Sequence, residues 1–276
     1  MLLFAAGFTG LLALTPPETD PDHLWWVEGS YARSASQTLF DQQYQPTQTA
    51  FSVQRRIDGA SHVGAGHEYR VLDLPSINGV KAAANGDLHR LGLGFRNDTD
   101  QRRYRLALGV AVSSNALKYL DLDGDDVRAA GAIEQRVGDS WWLALRVDDR
   151  FGRFRLYPGF EFIWQPAPAH QLRIGFPESS WQWQWTPQLQ SQLIIAPDGG
   201  RWRVRDADTD EQPSIVRQSS WQAAWGLRWK VGTFAVDARV GRTFNTTLRY
   251  QLINGTEVRV DPADANFAGV AASVRF

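Results

Sequence analysis

Residues 221–240 constrain this chain more than any other stretch. They read WQAAWGLRWK, then Val231-Gly232-Thr233, then FAVDARV. Alternate residues of a strand share a face. Trp221, Ala223, Trp225, Leu227 and Trp229 therefore fall on one side, and Gln222, Ala224, Gly226, Arg228 and Lys230 on the other. After the turn, Phe234, Val236, Ala238 and Val240 alternate with Ala235, Asp237 and Arg239. The pattern is an amphipathic β-hairpin with a tight turn. Three tryptophans facing water would be out of place in a soluble hairpin. On the outer wall of a membrane barrel, with a small, charged face turned to the lumen, they are expected.

The same period of two recurs along the chain. Candidate strands cover residues 24–33, 47–56, 62–72, 87–96, 102–112, 127–137, 141–147, 153–165, 170–176, 180–185 and 188–196. The hairpin and residues 266–276 complete the set. The expected fold class is all-β: a single antiparallel transmembrane β-barrel of about 14 strands, with about 12 as the alternative. Every second connection is short, around Asp58, Asp98, Gly138, Pro166, Pro187 and Gly232. Most of those between are long, at residues 34–46, 73–86, 113–126, 197–220 and 241–265; residues 148–152 and 177–179 are the short exceptions. Short turns at one end and longer loops at the other are a property of outer-membrane barrels.

Composition removes competing classes. No run of about 18 apolar residues is present, which excludes a helical membrane protein. The absence of cysteine excludes a disulfide framework, thiol chemistry and cysteine-based zinc sites. A net charge of −1 leaves no basic excess for nucleic acid. Residues 1–14, MLLFAAGFTGLLAL, have the length of a signal-peptide apolar region. The expected organisation is a signal peptide or unstructured N-terminus over residues 1–22 and a barrel over residues 23–276.

Phe95, Tyr104, Trp141, Trp164, Trp185, Trp229 and Phe234 all stand beside a short turn on the apolar face. They are expected to ring one membrane interface, where aromatic rings bury while their polar atoms reach headgroups. Parity places Arg90, Arg105, Arg136, Arg146, Arg155, Arg173, Arg228, Lys230 and Arg239 in the lumen, with Glu134, Asp148, Glu161 and Asp237. A basic lumen favours anions. The leading expectation is a small porin-like channel for ions or small solutes. The alternatives are a structural or binding barrel with a plugged lumen and functional loops, and, least expected, a lipid-modifying barrel enzyme.

Two further motifs bear on chemistry. Asp121, Asp123 and Asp125 alternate around Gly124 as carboxylates do in calcium loops, but the twelfth position is Ala132 where an EF-hand needs glutamate. They are a weak metal candidate, and no cofactor is expected. An enzyme would need a histidine with a nucleophile and an orienting partner. His67 and His89 fall on the lipid-facing parity, and His62, in the lumen, has no evident serine or aspartate beside it.

The closing segment FAGVAASVRF, residues 267–276, resembles the terminal strand of Gram-negative outer-membrane β-barrel proteins, whose assembly machinery reads a C-terminal aromatic. Gly175-Phe176-Pro177-Glu178-Ser179 and Gly199-Gly200-Arg201-Trp202-Arg203-Val204 are similar to pieces of an uncharacterised family of such barrels, a domain of unknown function. The resemblance covers the C-terminal half. It implies an outer-membrane location in a Gram-negative cell, an assembly signal at Phe276, and outer-membrane lipids, lipopolysaccharide and the barrel assembly machinery as partners. It implies no activity.

Overall fold

The computed structural model describes residues 24–83, 86–118, 122, 124–205 and 214–276. The strands are β1 (Trp25–Ser34), β2 (Gln37–Leu39), β3 (Gln42–Tyr44), β4 (Thr47–Arg56), β5 (Ser61–Val71), β6 (Asp87–Asp98) and β7 (Arg102–Ser113). A short helix, α1 (Ser114–Lys118), precedes β8 (Val127–Val137), β9 (Trp141–Asp148), β10 (Arg155–Ala167), β11 (His170–Phe176) and β12 (Ser179–Gln184). The chain closes with β13 (Leu189–Val204), β14 (Ser214–Val231), β15 (Phe234–Gln251), β16 (Glu257–Val260) and β17 (Ala265–Arg275).

β1, β4 to β15, and β17 form a closed antiparallel ring of 14 strands, the expected number. Closure runs through β1, which pairs with β4 on one side and β17 on the other. At the short-turn end the amide of Trp25 donates to the carbonyl of Phe276 at 2.8 Å. The short turns are fixed by local chemistry. The Asp58 carboxylate accepts from the amides of Ala60 and Ser61 at 2.8 and 2.7 Å, and these bonds hold it below the usual carboxylate range.

Register decides what each face carries. Trp229 stands opposite Val236, Arg228 opposite Asp237, and Leu227 opposite Ala238. Large apolar side chains cover the outer wall: Leu93 is 68% exposed, and Leu106, Leu145, Leu156, Trp225 and Val270 share that condition on other strands. Interior positions hold the opposite class, with Arg90 2% exposed and Glu134 equally buried.

Two expected loops continue as strand. β13 runs on to Val204, β14 starts at Ser214, and β15 extends to Gln251, where β16 pairs against it. Asp198-Gly199-Gly200 reads as turn chemistry, but here the glycines serve close approach. A Cβ on Gly199 would lie 2.3 Å from the carbonyl oxygen of Gln218 and 2.6 Å from that of Arg150.

The extension of β13 and β14 forms a strap across the barrel mouth. Arg203 bridges to Val112 of β7, and five ring strands separate β7 from β13 along the shorter arc. The far end is fastened by the Arg205 amide, which donates to the Ser113 hydroxyl at 3.1 Å, and by an Arg203–Asp126 ion pair at 3.9 Å. Above the charged interior, Trp202, Val204 and Val216 of the strap pack with Leu72 and Leu88 of the wall and with Leu248, Tyr250, Val258 and Val260. The largest apolar cluster therefore sits in the mouth of the barrel.

Candidate functional site

The lumen is built from residues that alternate with the lipid-facing ones. Their charges organise into three groups. Beneath the strap, Arg70 of β5 reaches Asp198 at 3.0 Å and Glu68 at 3.1 Å, and donates to Gln218 Oε1 at 2.8 Å. Arg90 of β6 lies 3.6 Å from both Glu68 and Asp149. Both guanidinium groups face the ring of Trp202, at 4.2 Å for Arg90 and 5.4 Å for Arg70. A desolvated cation over an indole face is a strong version of this contact.

Nearer the short turns, Glu134 of β8 is the hub. Arg146 approaches it at 2.7 Å, Arg103 at 3.4 Å and Arg105 at 3.5 Å. Arg103 also reaches Glu161 at 2.9 Å and lies 3.7 Å over Trp142, and Arg173 reaches Glu161 at 3.1 Å. The third group joins Arg228 to Asp237 at 3.8 Å and to the Ser273 hydroxyl at 3.5 Å. Such pairing answers the cost of removing charge from water, since an unpaired ion there would be expensive.

The residues assigned to the lumen by parity fall as follows. Arg90, Arg105, Arg146, Arg173, Arg228, Glu134, Glu161 and Asp237 all enter these three groups. Arg136 sits at the short-turn rim, donating to the carbonyl of Asp139 at 2.6 Å. Arg155 is exposed at the other end, 5.3 Å from the Phe151 ring. Asp148 is fully buried and accepts from Arg150 and from the Tyr157 hydroxyl at 2.6 Å. Lys230 is half-buried opposite Ala235. Arg239, also half-buried, borders two cavities.

Sequence reading missed Glu68, Arg70, Arg103, Asp149, Asp198 and Trp202. Glu68 and Arg70 flank the lipid-facing Tyr69, so parity could have found them. Asp149, Asp198 and Trp202 carry no such signal, because they come from segments that fold back over the mouth.

The two cavities lie along one side of the lumen. The lower one is lined by Ser30, Gln190, Gln192, Gly226, Asp237 and Arg239 among others. The upper one opens beside the strap and is lined by Arg33, Tyr44, Gln48, Gln222, Thr243 and Arg239 among others. Both walls mix amides and hydroxyls with apolar side chains, Ile194 and Ala224 in the lower one and Tyr44 and Phe267 in the upper. Arg239 is the residue they share.

On the outer wall, Phe95, Trp141, Trp164, Trp185, Trp229 and Phe234 are exposed and Tyr104 is half-buried, each next to a short turn. Trp185 Nε1 donates to Ser191 Oγ at 2.6 Å. Phe276 is exposed beside the paired end of β1. Asp121 and Asp123, and the side chain of Asp125, lie outside the described residues, as do residues 1–22. Among the described residues no group of three or more histidine, aspartate or glutamate side chains could hold a metal. His62 is buried between its register partners Arg56 and Arg96, whereas His89 on the outer wall has a serine partner.

The closed ring, its apolar exterior and its charged interior define a transmembrane β-barrel of the outer-membrane class. No protein-family model and no curated protein matches the sequence, so the family suggested by residues 175–179 and 199–204 has no matching model. Among solved structures, a bacterial polysaccharide outer-membrane secretin is similar at 8% identity over 92% of this chain and 99% of that one, with a TM-score of 0.46. The CymD monoaromatic hydrocarbon channel follows at 7% identity, 99% and 94% coverage and a TM-score of 0.43. The toluene transporter TodX of Pseudomonas putida gives 12% identity, 100% and 95% coverage and a TM-score of 0.40. At these identities and TM-scores the likeness implies neither a solute nor a gate for this chain.

Proposed function

We propose that the chain is a small porin-like channel of the Gram-negative outer membrane, passing ions and small polar solutes down the β1, β15 and β17 side of its lumen. The observation that carries this reading is the pair of cavities that share Arg239, one opening beside the strap and one in the lower lumen. The opposite side of the interior is occupied by the Glu134 and Glu161 ion pairs. Arg239 is then the constriction, and a cation at a constriction favours anions. The girdle of aromatics and the terminal strand at Phe276 support insertion in that membrane with the short turns inward.

A second reading has its own observation. The strap is fastened to the far wall and buries Trp202 completely, as a plugged binding barrel would require. Planar-bilayer conductance of detergent-refolded protein, selected for heat-shifted gel mobility, separates the two. The channel reading expects discrete steps whose reversal potential favours chloride. Folded protein without steps would overturn it in favour of the plugged barrel.

A further inference from the structure

The outer wall carries a polar constellation that the channel does not use. His67 of β5 and His89 of β6 share the face of Leu91 and Leu93, which are lipid-facing. Ser114 follows β7 as the first residue of α1. Its Oγ lies 2.8 Å from His89 Nε2, and His89 Nδ1 lies 3.0 Å from His67 Nε2. Tyr69 stacks on the His89 ring at 4.8 Å, and its hydroxyl donates to Asp87 at 2.8 Å. Both nitrogens of His89 are thus engaged and its ring plane is fixed. If Ser114 donates into Nε2, the Nδ1 proton of His89 goes to His67. Nucleophile, base and orienting group then stand in one line.

From this geometry we propose that Ser114 is a nucleophile toward ester-linked lipid, with His89 as its base and His67 as a positioning residue. The substrate class follows from place. The cluster lies on the bilayer face of the wall, in the half nearer the long loops, so a lipid ester reaches it without entering the lumen. Ser114 Oγ attacks the ester carbonyl carbon while its proton passes to His89 Nε2. The bond to the alcohol oxygen breaks, and that oxygen leaves with the proton, leaving acyl-Ser114. Water then attacks the acyl carbon, again giving a proton to His89, and the acid departs as the serine hydroxyl is restored.

The test uses the refolded full chain, a fluorophosphonate probe read by mass spectrometry, and vesicles of phosphatidylethanolamine with a fluorogenic acyl ester. The expected result is probe addition at Ser114 and fluorescence release, both lost in Ser114→Ala. His89→Gln should lower the labelling rate on the order of 10²-fold or more. His67→Gln, whose amide oxygen still accepts from Nδ1, should label within about tenfold of the parent, while His67→Ala should fall well below it. Ser114→Ala should retain heat-shifted mobility and conductance, which separates this activity from the channel. Absence of labelling at Ser114, or labelling indifferent to His89→Gln, would overturn the proposal.

Discussion

The guanidinium of Arg90 lies 4.2 Å over the ring of Trp202, and six ring strands stand between β6 and β13 whichever way round they are counted. The strap therefore crosses the lumen to make this contact. The contact holds the strap down on the charged layer below, and Gly200 makes it possible, since a Cβ there would fall 1.2 Å from Arg90 Nη2. Arg90 has no room to withdraw, because Glu68 and Asp149 hold it from two sides.

Loosening this contact should widen the barrel. Gly199→Ala, which places a methyl group against two backbone carbonyls, should lift the strap and raise mean single-channel conductance severalfold over the parent. Trp202→Ala should act in the same direction and cost about 3–5 kcal/mol of stability through the cavity it leaves. Conductance histograms and urea unfolding in vesicles read the two effects.

Glu134→Gln should be among the most damaging single changes in the lumen. Three arginines converge on one buried carboxylate, and removing it leaves buried cations uncompensated. The expected loss is about 3–5 kcal/mol. Adding Arg146→Met should restore part of it, and urea midpoints of the single and double variants check the coupling.

The two faces of the wall should respond oppositely to a new charge. Leu93→Arg places a cation in lipid near the middle of β6 and should cost about 2–4 kcal/mol. Gln222→Arg, facing the upper cavity, should leave the unfolding midpoint nearly unchanged and raise the chloride preference. Refolding yield and reversal potential measure the pair.

How much of this was readable beforehand follows from the physics of each element. Alternation at residues 221–240 sufficed for strand faces, because lipid on one side and a charged interior on the other impose opposite chemistries on successive residues. Strand number followed from turn residues such as Asp58 and Gly138. The strap was not readable. Asp198-Gly199-Gly200 has the composition of a turn, and only the crossing of the mouth reveals that the glycines make room for Arg90 and Gln218. The partners of the lumen arginines were half hidden for the same reason, since Asp149 and Asp198 arrive from folded-back segments. The Ser114–His89–His67 line joins three separate strands or their ends, which register alone brings together.

Arg239 should set selectivity. It borders both cavities, so Arg239→Gln should lower the chloride-to-potassium permeability ratio toward one and raise conductance. Bi-ionic reversal potentials on single channels give both quantities.

The central claim is that solutes pass along the β1, β15 and β17 side of the lumen, and the absence of native cysteine allows it to be tested directly. A single Gln192→Cys substitution places a thiol in the lower cavity, and Val240→Cys places one on the lipid-facing wall as control. An anionic methanethiosulfonate added on the loop side of a planar bilayer should reduce the Gln192→Cys current in steps and leave the control unchanged. A Gln192→Cys current that persists unchanged, with the thiol still unmodified by mass, would contradict passage along this route.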